Sequence, residues 1–245
     1  MGKGLKYAKL IPSALLILLG PIGEGSAQEH LVPEPDTFGQ AIEYHQKIRH
    51  LFDEGFRPEV LLRVVIGESF STESVIGIRE ASSDFDAFYL RAKTSIGDTE
   101  LLQYYEEGKI VSLERDGNRI PGVETEEYQD LKRRTPSDFR DIEVERLQRG
   151  LPKATVDEIA DIWKAMLLET RYPKRYRFGK DGTNYYFAMR DNGVPLSGMV
   201  WSPAKSSRTN LLVQLAESLK DYIETKITYE QLRAKVRTTQ MRLKR

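Results

Sequence analysis

The chain has 245 residues, enough for one substantial core or two small ones, and a composition of 40% hydrophobic and 30% charged residues describes a globular body rather than a disordered one. Lys and Arg together number 37, as do Asp and Glu, so the formal net charge is zero. There is no cysteine, which excludes disulfides, thiolate metal sites, cysteine nucleophiles and lipoprotein acylation.

The first residues have the pattern of a secretory signal. Lys3, Lys6 and Lys9 precede a short apolar run at 10–19, and Gly25-Ser26-Ala27 offers the small residues that a signal peptidase needs. The pattern predicts cleavage after Ala27 and a mature chain beginning at Gln28. The apolar run is shorter than the roughly 20 residues of a spanning helix, so no transmembrane helix is expected in the mature chain. The predicted organisation is a signal peptide at 1–27, a mobile leader at 28–36, a single α+β domain at 37–223 and a basic amphipathic helix at 224–245. Charge follows these boundaries. Residues 224–245 hold seven Lys or Arg and two Glu, whereas 28–223 hold seven more carboxylates than cations.

A helix is predicted from Thr37, which has capping-box spacing to Gln40, with Phe38, Ala41, Ile42, His45, Ile48 and Phe52 on its apolar face. Residues 59–93 read as three strands. Val60, Leu62, Val64 and Ile66 should share a face in the first. In the third, Phe88, Leu90 and Ala92 alternate with Tyr89, Arg91 and Lys93, the pattern of a sheet with one solvated face. Residues 98–140 read as a charged surface excursion, with a helical turn or two at 100–107 and a strand at 109–115 turning at Asp116-Gly117-Asn118. A strand returns at 141–151.

A second helix is expected from Thr155, paired with Glu158 as a capping box, with the stripe Val156, Ile159, Ala160, Trp163, Met166 and Leu167. Strands at 175–179, 184–190 and 195–201 follow, the last two separated by Asp191-Asn192-Gly193. Ser206 or Ser207 should cap a helix bearing Leu211, Leu212, Leu215, Leu219 and Tyr222. Thr228 and Gln231 should box the start of the last helix, with Tyr229, Leu232, Val236 and Leu243 at heptad-like spacing. The order of elements predicts an α+β fold, an antiparallel sheet with helices packed on one face.

Candidate sites are few. The stretch 179–189 reads chiefly as a hairpin, because Asp-Gly favours a tight turn and aromatic alternation suits a half-buried strand. Its minority reading is a ligand-binding edge built from Asp181, Thr183, Tyr185, Tyr186 and Trp201, a surface suited to sugars or peptides. His45 reads as a core histidine, since His50 does not share its helix face. His30 would stand third in a chain beginning at Gln28, where a free amine, two backbone amides and an imidazole can hold Cu(II) or Ni(II) in a square plane. Gly67-Glu68-Ser69-Phe70-Ser71 lacks the second glycine of a nucleophile elbow. No cofactor is expected.

These features point to an exported, periplasmic or secreted protein, non-catalytic, that binds or assists other components of a cell envelope. The alternative is a cofactor-independent hydrolase acting on cell-wall or carbohydrate material through a carboxylate pair. Two carboxylates converging in a cleft would favour the enzyme. The basic tail either docks on its own acidic body or meets a protein or envelope surface component. Nucleic acid is not expected as a partner of an acidic, exported body.

Overall fold

The computed structural model describes residues 30–33, 40–68, 71–81, 84–113, 119–173 and 182–244. The expected signal peptide, Gln28, Thr37, Phe38, Ser69, the turn at 116–118, the strand at 175–179 and Asp181 lie outside them.

Strand β1 (Val60–Glu68), β2 (Ser74–Glu80) and β3 (Phe85–Ala92) are rich in β-branched and aromatic residues and form an antiparallel meander. Beyond β3 the chain makes its excursion through α2 (Ile96–Glu106), a short ribbon of β4 (Val111–Leu113) with β5 (Arg119–Pro121), and α3 (Glu126–Arg134). It returns as β6 (Val144–Leu151), beside β3. Helix α4 (Lys153–Leu168) then carries the chain to β7 (Thr183–Asp191), which pairs with β1, and a hairpin adds β8 (Val194–Trp201). The sheet order is β6-β3-β2-β1-β7-β8, antiparallel throughout. The hairpin turns at Asn192 and Gly193, with φ of 48° and 83°. Both residues are left-handed, as a turn that follows the strand twist requires, so Asn-Gly does here what its chemistry suggests.

One sheet face carries Leu62, Val64, Ile66, Ile76, Ile78, Phe187 and Val200 and packs against α4, α5 (Arg208–Ile223) and α6 (Tyr229–Leu243). The expected stripe of α4 is buried there, and Trp163 is fully enclosed with its ring edge-on to Phe187 at 5.3 Å. Ser207 caps α5 by accepting from the Asn210 N–H. The capping box of Thr228 and Gln231 is complete at α6. Leu232 and Val236 of α6 are fully buried in the same core, so the basic segment docks its apolar side on its own chain.

The α+β architecture agrees with the sequence expectation, and several details differ. Both faces of the sheet are covered. Ile48, Leu51 and Phe52, in and just beyond α1 (Gln40–Leu51), pack with Val65, Val75, Phe88 and Leu90 on the second face. The alternation of β3 therefore separates two buried faces at Phe88 and Tyr89, and Arg91 is its one fully exposed residue. Val60 joins the second face rather than that of Leu62, because the register shifts between them. An extra residue in a bulge reverses the side-chain alternation, and periodicity alone does not reveal it. Ile42, expected on the apolar side of α1, is exposed. Thr155 is no cap. Helix α4 starts one turn earlier, after Pro152, and the Thr155 hydroxyl lies 2.8 Å from that of Tyr229 on α6.

The excursion is better ordered than its charge suggests. Leu102, Tyr105, Tyr128 and Leu131 form a small core of their own between α2 and α3. It is anchored by Glu73, 3% exposed, whose carboxylate accepts from the Ile96 N–H at 3.1 Å, the Ser95 hydroxyl at 3.0 Å and the Tyr44 hydroxyl at 3.2 Å. A carboxylate at the first turn of α2 also meets the positive end of the helix dipole. The leader is not loose over residues 30–33. Val32 and Met199 exchange backbone hydrogen bonds of 2.9 and 2.7 Å, and Leu31 is buried in the main core. A β-carbon at Gly198 would meet Leu31 at 2.9 Å, so glycine permits this docking, which covers part of the β8 edge.

Candidate functional site

The C-terminal ends of β1 and β3 and the N-terminal ends of β2 and β7 meet at one end of the sheet. There the apolar core gives way to polar residues. Opposite each other along one row lie Tyr185, Ile66, Ser74, Arg91 and Glu145, on neighbouring strands. One step further out, Glu68 pairs with Thr183. Helix α5 crosses above and contributes Glu217 and Lys220. Between helix and sheet opens a cleft of about 480 Å³, with Glu68, Tyr89, Arg91, Lys93, Glu217 and Lys220 among its lining. Hydroxyls of Ser71, Thr72 and Ser74 complete its polar wall.

The electrostatics of the cleft are mixed. Burial pushes the Glu217 carboxyl above the ordinary carboxylate range. Lys220, with its ammonium 3.9 Å away, pulls in the opposite direction, and the charges of Asp221 and Glu68 add to the rise. Burial likewise raises the Tyr89 phenol, partly offset by Lys220 and Arg91 and by a hydrogen bond with Ser74. The Lys220 ammonium lies 5.4 Å from the centre of the Tyr89 ring. Arg91 is held by Glu145 at 2.6 Å and Lys93 by Glu143 at 2.5 Å, so Lys220 is the cation that reaches over the cleft from the helix side. Burial and the charges of Glu217 and Glu68 raise the Tyr185 phenol, which is hydrogen-bonded to Thr183.

Of the residues expected at 181–201, Thr183 lies opposite Glu68 and Tyr185 opposite Ile66 on the neighbouring strand, and neither is among the lining residues of this cleft. The structure sends Tyr186 the other way. Tyr186 lies on the second sheet face, edge-on to His45 at 4.9 Å between ring centres. Trp201 is opposite Asn184 and shares that second face. Its indole lies over Gly182, where a β-carbon would come within 2.6 Å of it. The aromatic edge is thus a hairpin whose side chains divide between two faces, as strand alternation demands. His45 is half-buried, with its ring against those of Tyr44 and Tyr186, at the margin of the core rather than within it. His30 is half-buried beside the docked leader, and its metal geometry requires Gln28 as amino terminus. Among the described residues, no group of three His, Asp or Glu side chains is placed to share a metal ion.

Glu68, Tyr89, Arg91, Glu217 and Lys220 were not expected from the sequence to form a site, and Tyr89 and Arg91 were read only as one side of a strand. One clue was present. Glu68 continues the two-residue step of Leu62, Val64 and Ile66, so a carboxylate had to follow the buried face. Nothing local announced that α5 would lie above it. Comparison with protein-family models, curated proteins and solved structures finds no match to this chain.

Proposed function

We propose that this is an exported protein, periplasmic or secreted, that acts without catalysis as a binding or accessory component of a cell envelope, with the cleft under α5 as its ligand site. The amino-terminal sequence pattern supports export. The observation that carries the binding reading is the mixture of groups in one cleft: cations from Arg91, Lys93 and Lys220, carboxylates from Glu68 and Glu217, and hydroxyls between them. Donors and acceptors lining one cleft suit a polar ligand such as a sugar or a short peptide. The basic C-terminal segment supplies a second contact, to a protein or an envelope surface component.

A second reading is favoured by the neighbouring Glu68 and Glu217. A carboxyl whose hold on its proton is strengthened by partial burial, beside one exposed to water, is the arrangement of a general acid and its partner. On that reading the protein is a cofactor-independent hydrolase of cell-wall or carbohydrate material.

Titration with soluble cell-wall fragments, read by calorimetry and by product analysis, separates the two. Binding that is lost in Lys220→Met and unaccompanied by product supports the binding protein. Product whose formation stops in Glu217→Gln while fragments still bind supports the hydrolase. Fragment affinity and product formation both unchanged by the two substitutions would remove the cleft from either role.

A further inference from the structure

We infer that the outward face of α6 docks on an anionic lipid bilayer. This inference rests on the reading of the basic segment as a recognition element and is independent of what the cleft binds. The inward side of α6 is committed, with Leu232 and Val236 fully buried and Tyr229 and Leu243 packed against the main core. What remains is a defined outer surface. Ala234, Thr238 and Met241, spaced three and four apart, line its centre and are exposed, Met241 at 59%. Lys235 and Arg242 flank that line on one side, and Arg237 and Lys244 on the other, all four exposed. None of the four is ion-paired to a carboxylate among the described residues, in contrast to Arg91, Lys93 and Arg208, though exposed cations such as Arg171 and Lys205 share this state. Glu230, in the first turn, is the one carboxylate of the helix.

From Ala234 to Met241, beyond Glu230 on the same row, a narrow uncharged line with an exposed thioether is bordered on both sides by long cations, a layout that suits a helix lying on an anionic membrane interface. The central side chain enters the headgroup region while the cations reach phosphates on either side. An acidic protein groove would be met as well by the charges, but it gives no reason for a bare Met241 between them. The rest of the molecule contributes orientation. Residues 28–223 hold seven more carboxylates than cations, so an anionic surface repels the body and attracts α6.

The test is sedimentation of the protein, recovered from an exporting host, with vesicles of phosphatidylcholine alone or mixed with phosphatidylglycerol. Co-sedimentation is expected with the anionic vesicles only and should weaken as salt is raised. Reversing two cations, in Arg237→Glu with Arg242→Glu, should lower the partition coefficient at least about a hundredfold. Arg237→Lys with Arg242→Lys should retain it, and Met241→Ser should lower it a few-fold. All these side chains are exposed, and circular dichroism verifies the fold of each variant. An amino-terminal leader that escaped processing would act equally on all variants, so the difference between them reports on α6. Equal sedimentation of parent and charge-reversed protein, or no binding to anionic vesicles, overturns the inference. Charge-dependent capture of an acidic protein without vesicle binding overturns the bilayer and leaves the recognition reading standing. Lys220→Met should leave vesicle binding unchanged, whatever it does to the cleft.

Discussion

The two faces of the sheet are held by different means. On one, three helices cover the strands with a continuous apolar core centred on Trp163, Phe187 and Leu212. On the other, α1, the start of α2 at Ile96 and the turns bearing Phe56 and Phe139 bury a smaller core, and polar and cation–aromatic contacts complete the packing. Arg63 lies over the Phe56 ring at 4.4 Å and Arg79 over Phe88 at 5.3 Å, while the buried Glu73 ties α1 to α2. The first face is stabilised mainly by area removed from water, which is tolerant of direction. The second depends on groups whose partners must be in place, because a buried carboxylate without donors is costly. The cleft opens where the first face runs out of apolar residues, at Ser74, Arg91 and Glu68.

Truncating the centre of the helix-covered face should have the largest effect. Trp163→Ala is expected to cost about 3–5 kcal/mol in urea unfolding, from lost transfer energy and a residual cavity. A loss under about 1 kcal/mol would show that the core is not the main support of that face. On the opposite face, Glu73→Ala should cost about 3 kcal/mol, since it leaves the Ile96 N–H and the Ser95 and Tyr44 hydroxyls without their buried acceptor. Glu73→Gln, which keeps an acceptor, should cost clearly less. Hydrogen exchange should show the opening concentrated in α2 and α3. If exchange accelerated evenly over the whole sheet, the anchor would not be local, and the contrast between the faces would fail.

Thr228→Ala should remove the capping box of α6 at a cost of about 1 kcal/mol. Faster exchange is expected in the first turn of α6, with α4 and α5 unaffected. The smallest effect concerns the cleft. The Glu217 carboxyl is raised in the folded state, so the folded chain keeps that proton to higher pH than the unfolded chain does. Its contribution is therefore most favourable below the ordinary carboxylate range. It declines as pH rises through that range to the raised folded value, and is constant above it. Glu217→Gln should abolish this decline and be slightly more stable than the parent at neutral pH. Parallel stability profiles for the two proteins would show that Glu217 is not held in a desolvated state.

Much of the fold is legible in the chain because its causes are local. The Asn192-Gly193 turn, the Ser207 cap, the Thr228–Gln231 box and the stripes of α4 and α5 are each fixed by neighbours within a few residues. The misreadings have causes at a distance. Thr155 looks like a cap from spacing, yet its hydroxyl meets Tyr229, 74 residues on. Charge in the excursion conceals Tyr105 and Tyr128, which become a core only when α2 and α3 are brought together. Of the expected ligand edge, Thr183 and Tyr185 stand on the strand beside the cleft, opposite Glu68 and Ile66, and strand alternation takes Tyr186 to the other side.

The order of residues alone decides the type of each main element, the alternation that sends successive side chains to opposite sheet faces, and the separation of an acidic body from a basic end. Those properties depend on backbone preference, short-range hydrogen bonding and net charge. The tertiary structure alone decides that β7 lies beside β1, that α5 suspends Glu217 and Lys220 above Glu68 and Tyr89, and that α6 turns its leucines inward and its cations out. A site assembled from strands and a helix some 150 residues apart is a product of packing, where burying apolar area between distant segments determines which polar groups meet.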